Sequence, residues 1–408
     1  MALVVQKFGG TSVGDVERIQ NVARRVVETK RAGHDVVVCV SAMSGETNAL
    51  VSLAEQVSGG RPPHAREYDV LLSVGEQKTI ALLAMAIQEL GEPARSFTGA
   101  QMGMRTNSEH NRARIEAVNA DVLHENLKGG SVCVIAGFQG VSDSGDITTL
   151  GRGGSDTSAV AVACALEADV CEIYTDVDGV YTADPRVVKD AQKLARIAFE
   201  EMLELASLGA KVLQIRSVKF AMRYGLPLHV RSSFSADEGT WVMPEEEVME
   251  QLVVSGVTCN KNEAKIRLQS VPDQPGIAAR VFTPLGEAGI VVDMIIQNYA
   301  SDGSTDMTFT VPRADYSRAL EIAKAAGDQL SSRSVDGDDS IAKVSIVGLG
   351  MKDHAGVATR MFEVLARKEI NIQMISTSEI KISVVIDEAH SDVAVQALHA
   401  EFIDDLSD

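Results

Sequence analysis

The feature that most constrains the fold is an alternation of short apolar runs and helical patterns over the first 240 or so residues. The apolar runs predict five strands, at Leu3–Gln6, Val36–Ser41, Val132–Gly137, Val170–Thr175 and Leu228–Arg231. Near-continuous apolar strands separated by helices are typical of a mainly parallel sheet that helices cover on both faces. The sequence therefore predicts an α/β unit in this part of the chain.

Helical patterns lie between these strands at Val16–Lys30, Gln77–Leu90, Arg112–Leu127 and Lys211–Tyr224. Gly and Asp-Ser-Gly turn signals at Gly137–Asp146 predict a hairpin excursion from the sheet. Aromatic residues make up only 4% of the chain, so small aliphatic residues must fill the interior. That composition suits parallel α/β packing better than a sandwich with an aromatic core.

The C-terminal third contains an internal repeat in which the two copies lie 80 residues apart. DQPGIAARVF at 273–282 matches DHAGVATRMF at 353–362, and EAGIVVDMI at 287–295 matches RKEINIQMI at 367–375. Each copy begins with an alternating strand, KIRLQSV or KVSIVGL, and continues with a loop, a helix and further strands. Identities at one offset across several elements indicate duplication of a ferredoxin-like unit rather than chance similarity of two helices.

Composition excludes several classes of function. The formal net charge of −19 argues against general binding of nucleic acids or anionic membranes, which requires a basic surface. The five cysteines form no C-x-x-C pair, so we expect reduced thiols in the core. The N-terminus lacks a signal-peptide pattern, and no run of roughly 18 apolar residues occurs, so we expect a cytoplasmic protein.

The stretch LVVQKFGGTS at 3–12 is the first candidate phosphate site. Paired glycines allow a close approach of the backbone, their N–H groups can converge on phosphate oxygens, and Lys7 adds a positive charge. An ordinary strand–turn–helix corner with a solvated lysine is the alternative. The P-loop pattern and the protein-kinase motifs are absent, and the Gly-x-Gly at 348–350 lacks the further glycine of a dinucleotide site.

Three further motifs carry charged residues at turns. In GRGGSD, Arg152 precedes two glycines, Ser155 is a candidate N-cap and Asp156 falls in the first helical turn; plain N-capping explains only the last two. The acidic stretch YTDVDGVYTADPR at 174–186 suits a nucleotide-side loop better than a calcium loop. In SVGEQ at 73–77, Glu76 is placed at a helix start, where the helix dipole alone would also favour it.

Together the motifs KFGGTS, SAMSGETN at 41–48, SVGEQ, GRGGSDTSA and YTDVDGVYTADPR resemble the aspartate kinases of the amino-acid kinase superfamily. The C-terminal repeat resembles the paired ACT domains of the same enzymes, so the resemblance covers essentially the whole chain. It implies an α/β amino-acid kinase fold, a central mainly parallel sheet covered by helices on both faces, followed by two ferredoxin-like βαββαβ ACT units. Other superfamily members, the acetylglutamate, glutamate 5- and uridylate kinases, share the fold but lack this motif set.

The resemblance implies transfer of a phosphoryl group from ATP, with Mg²⁺, to the β-carboxylate of L-aspartate. Lys7 and Asp156 would be catalytic, and no residue is expected to bind the metal directly. The implied ATP contacts are Lys7, Phe8, Gly9, Gly10, Ser41, Thr175, Asp176, Tyr181, Asp184, Arg186, Lys211 and Val212. The implied aspartate contacts are Thr47, Glu76, Arg152, Gly153, Gly154 and Ser155.

The resemblance also implies feedback control by L-lysine, L-threonine or both, at the start of lysine, threonine and methionine biosynthesis. The implied effector contacts are Asp273, Gly276, Ile277, Ala278, Val292, Asp293 and Gln297 in the first copy, and Val357, Ala358, Asn371, Ile372, Ser378 and Glu379 in the second. ACT units that pair edge to edge imply a homodimer or higher assembly, with or without a separate ACT-only subunit. Dimerisation without effector binding is the alternative role.

The expected domains are a kinase domain at 1–244, a linker with the first strand of the second ACT unit at 245–264, and ACT units at 265–337 and 338–408. The first copy is expected to interrupt the second, with Val253–Thr258 as a strand of the second unit's sheet. We expect a monofunctional enzyme. The rival hypotheses are a non-catalytic amino-acid sensor and a kinase for another acidic amino acid such as glutamate.

Overall fold

The computed structural model describes residues 1–210, 212–248, 253–299 and 303–403. The chain divides into two compact units. The first comprises Met1–Val180, Lys193–Ala206 and Lys211–Glu250, and the second comprises Tyr181–Gln192, Ser207–Ala210 and Gln251–Asp408.

The first unit is built from twelve strands and seven helices in its described residues. The strands are β1 (Leu3–Phe8), β2 (Asp35–Val40), β3 (Ala94–Phe97), β4 (Met104–Thr106), β5 (Ile115–Val118), β6 (Val132–Ala136), β7 (Gln139–Val141), β8 (Ile147–Thr149), β9 (Val170–Thr175), β10 (Arg196–Ala198), β11 (Leu228–Ser232) and β12 (Thr240–Met243). The helices are α1 (Val16–Arg31), α2 (Glu46–Val57), α3 (Ala65–Glu89), α4 (Asp121–Lys128), α5 (Gly154–Ala165), α6 (Phe199–Ser207) and α7 (Ile215–Tyr224).

Eight of these strands form the main sheet in the order β10-β12-β11-β9-β1-β2-β6-β3. All of its pairings are parallel except that of β11 with β12. β1 lies near the middle, where Lys7 is in register with Cys39 on β2 and Ile173 on β9. Because carboxyl ends of parallel strands meet at one edge of the sheet, the loops after β1, β2 and β9 emerge together, and the predicted parallel α/β fold is confirmed.

Small branched side chains fill the core of the first unit, as the low aromatic content predicts. Val36, Val38 and Val40 on β2 are wholly buried against helix residues such as Val26 and Leu83. Of the helices, α3 is long and apolar enough to cross a membrane, but half of its apolar window is buried within the fold. That degree of burial is typical of the core helix of a globular unit.

Three predicted helices differ in the structure. The helix expected at Lys211–Tyr224 begins four residues later, at Ile215. The helix expected at Gln77–Leu90 begins twelve residues earlier, at Ala65. The pattern at Arg112–Leu127 is divided between β5 and α4, because Ile115–Val118 pairs antiparallel with β4. Cross-strand pairing there outweighs the helical periodicity. The predicted excursion at Gly137–Asp146 is present as the β7–β8 hairpin, in a small sheet of order β5-β4-β7-β8.

The second unit contains six strands and four helices in its described residues. They are β13 (Gly256–Pro272), α8 (Ile277–Glu287), β14 (Ile295–Tyr299), β15 (Ser304–Pro312), α9 (Tyr316–Gln329), β16 (Ser334–Val347), α10 (Val357–Arg367), β17 (Met374–Thr377), β18 (Lys381–Asp387) and α11 (Ser391–Phe402). The strands form one antiparallel sheet of order β14-β15-β13-β16-β18-β17.

Both copies of the repeat share the two long central strands of this sheet. The first half of β13, Gly256–Asn260, pairs with Lys343–Val347 of the second copy. Its second half, Lys265–Gln269, pairs with Ser334–Asp338, which close the first copy. The chain before the first copy therefore supplies the fourth strand of the second, as the interrupted arrangement predicts. This strand begins at Gly256 rather than Val253, and residues 249–252 lie outside the described part.

A segment expected in the kinase domain, 181–192, belongs to the second unit. The Thr182 hydroxyl lies 2.8 Å from Nε2 of His399 on α11, and the Thr182 carbonyl accepts a hydrogen bond of 2.7 Å from Val257. Gln396 donates to the carbonyl of Val187 over 2.8 Å. The compact units therefore do not follow the expected boundary at residue 244.

Candidate functional site

The site begins at the carboxyl end of β1, where Lys7 is the second-to-last strand residue. Its side chain is only 11% exposed, and Nζ lies 2.6 Å from Oδ1 of Asp156, which is equally buried. The two residues are far apart in sequence, and the fold brings them together because α5 packs beneath β1. A lysine ammonium held by one carboxylate keeps two further N–H donors for an anionic ligand.

The loop after β1 approaches its neighbours most closely at Gly10. A Cβ atom at Gly10 would lie 2.9 Å from the Ala42 carbonyl oxygen, and one at Gly9 would lie 3.4 Å from Nζ of Lys7. Gly9 has φ −72°, so the left-handed freedom of glycine is not used at this position. Gly10 is therefore the glycine of this loop that is required for space, whereas a Cβ at Gly9 would make only an ordinary contact. The Gly9 N–H donates to the Tyr174 carbonyl over 3.4 Å.

The second glycine pair forms the start of α5. Gly153 is the N-cap with φ +70°, and a Cβ there would lie 2.0 Å from Cγ of Gln214. Ser155 is thus a residue of the first helical turn, and the N-cap assigned to it was wrong: α5 has no side-chain cap. A glycine cap with no side chain leaves the first N–H groups of the helix without a side-chain partner, which is the geometry that binds anions. Asp156 in the same turn is stabilised by the helix dipole and by Lys7.

Glu76 is a buried carboxylate with one unpartnered oxygen. Glu76 lies in the middle of α3 and not at the predicted helix start. The preceding Gly75 does not mark a helix start but allows close packing, since a Cβ at Gly75 would lie 2.7 Å from the Cβ of Ala42. Oε1 of Glu76 accepts a hydrogen bond of 3.0 Å from the Ala42 N–H, whereas Oε2 has no partner among the described residues. Burial raises the pKa of Glu76 to about 7, against the lowering effect of that hydrogen bond. Such a group can accept a cationic ligand.

The other expected aspartate contacts have different exposures. Arg152 is exposed, and no other described residue forms a hydrogen bond or ion pair with its side chain. Gly154 and Ser155 are buried, and a Cβ at Gly154 would lie 2.9 Å from the ring of Phe138. Thr47 is half-buried in the first turn of α2.

The expected ATP contacts fall into both units. In the first, Phe8 is buried and stacks on Tyr174 with 4.6 Å between ring centroids, so only its backbone faces the loop. Its carbonyl accepts from the N–H of Ser41 over 3.1 Å. The remaining expected contacts of this unit are Thr175, whose hydroxyl donates to Asp176 over 3.1 Å, and Val212, which is half-buried. Lys211 lies outside the described residues.

Tyr181, Asp184 and Arg186 belong to the second unit. Asp184 and Arg186 form an exposed ion pair of 2.7 Å with each other, and the Arg186 guanidinium holds the pKa of Asp184 below its usual value.

Among the described residues no group of three or more His, Cys, Asp or Glu side chains is placed to hold a metal ion. All five cysteines are free, and burial strongly raises the pKa of Cys39, as expected for core thiols.

The expected effector residues lie around the same helix and the strand after it in each copy, at places that match only in part. In the first copy they lie before and in the first turn of α8 (Asp273, Gly276, Ile277 and Ala278), before β14 (Val292 and Asp293) and on β14 (Gln297). In the second they lie in the first turn of α10 (Val357 and Ala358), after that helix (Asn371 and Ile372) and between β17 and β18 (Ser378 and Glu379). The helix N-caps, Gly276 and Gly356, have φ +92° and +94°. The duplicated loops thus keep one backbone geometry.

Sequence reasoning missed a buried polar cluster around Asp69 on α3. This residue is wholly buried and contacts His110, Asn111 and Thr149. The available signal was its spacing: Asp69 precedes Glu76 by two helical turns, so both carboxylates share one face of an otherwise apolar helix.

Comparisons with known proteins agree with this architecture. The amino acid kinase family model matches residues 2–232, and ACT domain models match residues 266–328 and 344–402. Aspartokinase of Pseudomonas aeruginosa is 58% identical over 404 residues, covering 98% of each chain. Aspartate kinase of Stutzerimonas stutzeri is 57% identical over 403 residues, covering 98% of this chain and 97% of its own.

Among solved structures, the chain is similar to E. coli aspartokinase III in complex with aspartate and ADP, in its R-state. The TM-score is 0.81 at 28% identity, covering 98% of this chain and 99% of the other.

Proposed function

The chain belongs to the aspartate kinases, and on that premise we propose that it transfers the γ-phosphoryl group of ATP to the β-carboxylate of L-aspartate. The products are 4-phospho-L-aspartate and ADP. An oxygen of the β-carboxylate forms a bond to the γ-phosphorus as the bond from that phosphorus to the β,γ-bridging oxygen breaks. The acceptor is already anionic, so no general base is required.

The observation that carries this proposal is the buried pair of Lys7 and Asp156 between two glycine-lined backbone turns. An anionic carboxylate must approach a polyanionic phosphate, and the barrier contains their repulsion. The Lys7 ammonium and the N–H group of Gly10 offset that charge from fixed positions, which is the form of electrostatic stabilisation that accelerates phosphoryl transfer. The Gly9 N–H already donates to the Tyr174 carbonyl. Asp156 holds the ammonium in place at 2.6 Å.

Substrate selection falls to Glu76 and Arg152. The unpartnered Oε2 of Glu76 would accept a hydrogen bond from the α-ammonium of aspartate, and the exposed guanidinium of Arg152 would bind its α-carboxylate through a bidentate contact. Thr47, Gly153, Gly154 and Ser155 complete the proposed pocket. The complex of the E. coli enzyme with aspartate and ADP supports aspartate as the substrate by similarity.

Mg²⁺ would accompany ATP. The ion usually keeps several waters and needs only one or two carboxylates beside the phosphate oxygens. When bound it neutralises charge on the β- and γ-phosphates. The nucleotide-side contacts proposed in the first unit are Ser41, Thr175, Asp176, Lys211 and Val212. Those expected at Tyr181, Asp184 and Arg186 belong to the second unit and stay predictions.

Regulation is proposed at the ACT units through L-lysine, L-threonine or both. E. coli aspartokinase III is known in complex with lysine and aspartate in its T-state, at 28% identity and a TM-score of 0.74 over 98% of this chain. The loops at Asp273–Ala278 and Val357–Ala358 present helix N-termini that suit the carboxylate of an amino acid. We place the enzyme in the cytoplasm, at the head of lysine, threonine and methionine synthesis, as an assembly formed through its ACT units.

A hydroxamate assay tests the proposal, because hydroxylamine traps acyl phosphates. The wild-type enzyme should form hydroxamate with aspartate and not with glutamate, and lysine or threonine should inhibit it. Lys7→Ala should abolish turnover and retain the circular dichroism spectrum. Lys30→Ala, which removes an ion pair of 3.0 Å at the far end of α1, should retain turnover.

Arg152→Ala provides the test of substrate binding. Loss of a charge-assisted contact of about 1.5–3 kcal/mol predicts a KM for aspartate raised about 10- to 100-fold, with the KM for ATP unchanged. Arg105→Ala is the matched control, since Arg105 forms an exposed ion pair with Asp143. Equal activity with glutamate, or an unchanged aspartate KM in Arg152→Ala, would contradict the assignment. A protein that forms no hydroxamate with aspartate but still binds lysine would favour the sensor hypothesis instead.

A further inference from the structure

Asp69 is a buried carboxylate that the proposed chemistry does not use. It is wholly inaccessible to solvent in the second turn of α3. Oδ2 lies 2.7 Å from Nδ1 of His110, Oδ1 accepts from the Thr149 hydroxyl over 2.6 Å, and both oxygens lie 3.1 Å from the backbone N–H of Asn111. Among the described residues no lysine or arginine forms an ion pair with it. The donors to the Asp69 carboxylate thus come from two segments: the turn at His110 and Asn111, and the end of β8 at Thr149.

Both of these segments border the loop that carries Arg152. Thr149 is the last residue of β8, three positions before Arg152. The segment around Asn111 packs on the same strand end, because the Ala113 N–H donates to the Thr149 carbonyl over 2.9 Å. A Cβ at Gly151 would lie 3.0 Å from the Asn111 carbonyl oxygen, so the two segments are in direct contact.

Asp69 is hydrogen-bonded to both residues of the 110–111 segment. Asn111 has φ +67°, in the left-handed region that only asparagine, aspartate and glycine adopt readily. Its N–H points to both carboxylate oxygens of Asp69, which offsets the conformational cost of that turn. From the other side, Arg216 on α7 donates to the carbonyls of Leu150 over 2.8 Å and Ala113 over 3.1 Å.

Asp69 also shares a helix face with Glu76, two turns further along α3. Both side chains are buried, and residues seven apart in a helix lie on one side of it. The helix carries the proposed ammonium-binding group, and the β8 end carries the proposed carboxylate-binding group. Asp69 is the charged group that joins them.

We propose that Asp69, with its donors His110 and Thr149, is the positioning residue that sets the separation of Glu76 and Arg152 and so the fit of aspartate. The inference rests on the proposed function of those two groups. Asp69 touches no substrate; it acts through the strand end and the helix. Misplacement of a binding group by about 1 Å is enough for a large loss of binding or rate.

The experiment measures the KM values for aspartate and for MgATP in four variants of the full chain. Asp69→Asn removes the charge, and Thr149→Val removes one donor with little change in volume. Both should raise the aspartate KM about tenfold and leave the ATP KM within about twofold. Thr149→Ser keeps the hydroxyl and should restore a near-normal aspartate KM. Asp146→Asn is the matched control, because it breaks an ion pair of 2.9 Å between Arg66 of α3 and the β7–β8 turn without reaching the Arg152 segment.

The outcomes separate this inference from the proposed function. An unchanged aspartate KM in Asp69→Asn and Thr149→Val, with the raised KM of Arg152→Ala intact, overturns the positioning role alone. A parallel rise in both KM values, or a Thr149→Ser variant as impaired as Thr149→Val, also overturns it, because general loosening of the fold would do that. If Arg152→Ala itself has a normal aspartate KM, the proposed pocket fails first and the positioning role with it. Should Asp69→Asn fail to fold, the Thr149 pair decides.

Discussion

The raised pKa of Glu76 predicts that removing its charge stabilises the protein while it weakens aspartate binding. Glu76→Gln is the appropriate change because an amide has the shape of the protonated carboxyl group. Its oxygen can accept the Ala42 N–H at the same place, and its NH₂ group replaces an unpartnered hydroxyl. The two side chains therefore differ in the folded protein mainly by the free energy of ionising Glu76.

That free energy follows from the two pKa values. Burial raises the pKa of Glu76 in the folded protein to about 7, from an ordinary value of 4.5. The folded state binds more protons between those values, so the destabilising contribution is absent below the unfolded pKa, grows as the pH rises and is complete above the folded pKa. It amounts to about 1.4 kcal/mol near pH 5.5 and roughly 3 kcal/mol near pH 8. Glu76→Gln should be more stable than wild type by those amounts.

Urea or thermal unfolding at the two pH values, without ligands, measures the difference. The first unit's transition should shift upward by several degrees near pH 8 and by about half as much near pH 5.5. Glu46→Gln is the matched control, since Glu46 forms a partly exposed ion pair with Lys78 and should change stability by less than about 1 kcal/mol. A stability gain that does not grow with pH, or a loss near pH 8, would refute the reasoning.

Two further substitutions test the packing around the site and in the ACT sheet. Gly75→Ala places a methyl group 2.7 Å from Cβ of Ala42. The resulting clash of about 1–3 kcal/mol should outweigh the gain in helix propensity of about 1 kcal/mol. The urea midpoint of this variant should therefore fall, and its KM for aspartate should rise. Lys343→Met leaves Glu263, which is 6% exposed, without its ion-pair partner at 2.9 Å. Urea unfolding of the second unit should therefore show a free energy of unfolding lower by about 3 kcal/mol. An unchanged urea midpoint would contradict this.

Lys343 also shows how a buried charge is held in the sheet that the repeats share. Burial alone would lower the pKa of its ammonium, but the charge of Glu263 and hydrogen bonds to Asp293 and Glu263 outweigh that effect and raise it. Asp293 is also an expected effector contact. An effector bound at Asp293 would therefore contact a residue that is already paired with Lys343 on the central strand β16.

Much of the fold was predictable because its strands are continuous apolar runs. The strand at Val170–Thr175 was predicted with its observed ends. The interruption of the second copy by the first was predicted from the resemblance to ACT domains, but the single six-stranded sheet that both copies form was not. The helix boundaries were less predictable. The periodicity of Arg112–Leu127 could not show that Ile115–Val118 would find a partner strand in β4, because that pairing is a tertiary contact.

The site was predictable as a set of motifs but not as an arrangement. Of the motif glycines at 9, 10, 75 and 153, only Gly153 has the left-handed conformation. Gly10 and Gly75 are required by close neighbours that the sequence cannot identify. The carboxylate of Asp69 carries no motif of its own. Its partners lie 41 and 80 residues away, so its role became visible only when the strands and loops were assembled.

The most direct test of the central claim is phosphorus NMR of the products formed from MgATP and aspartate that carries heavy oxygen in both carboxylates. The account predicts an acyl phosphate whose phosphorus is bonded to one heavy oxygen, formed at the same rate as ADP, and absent with Lys7→Ala. A product without heavy oxygen on phosphorus, or normal product formation by the Lys7→Ala enzyme, would contradict direct transfer between two anions at the lysine of β1.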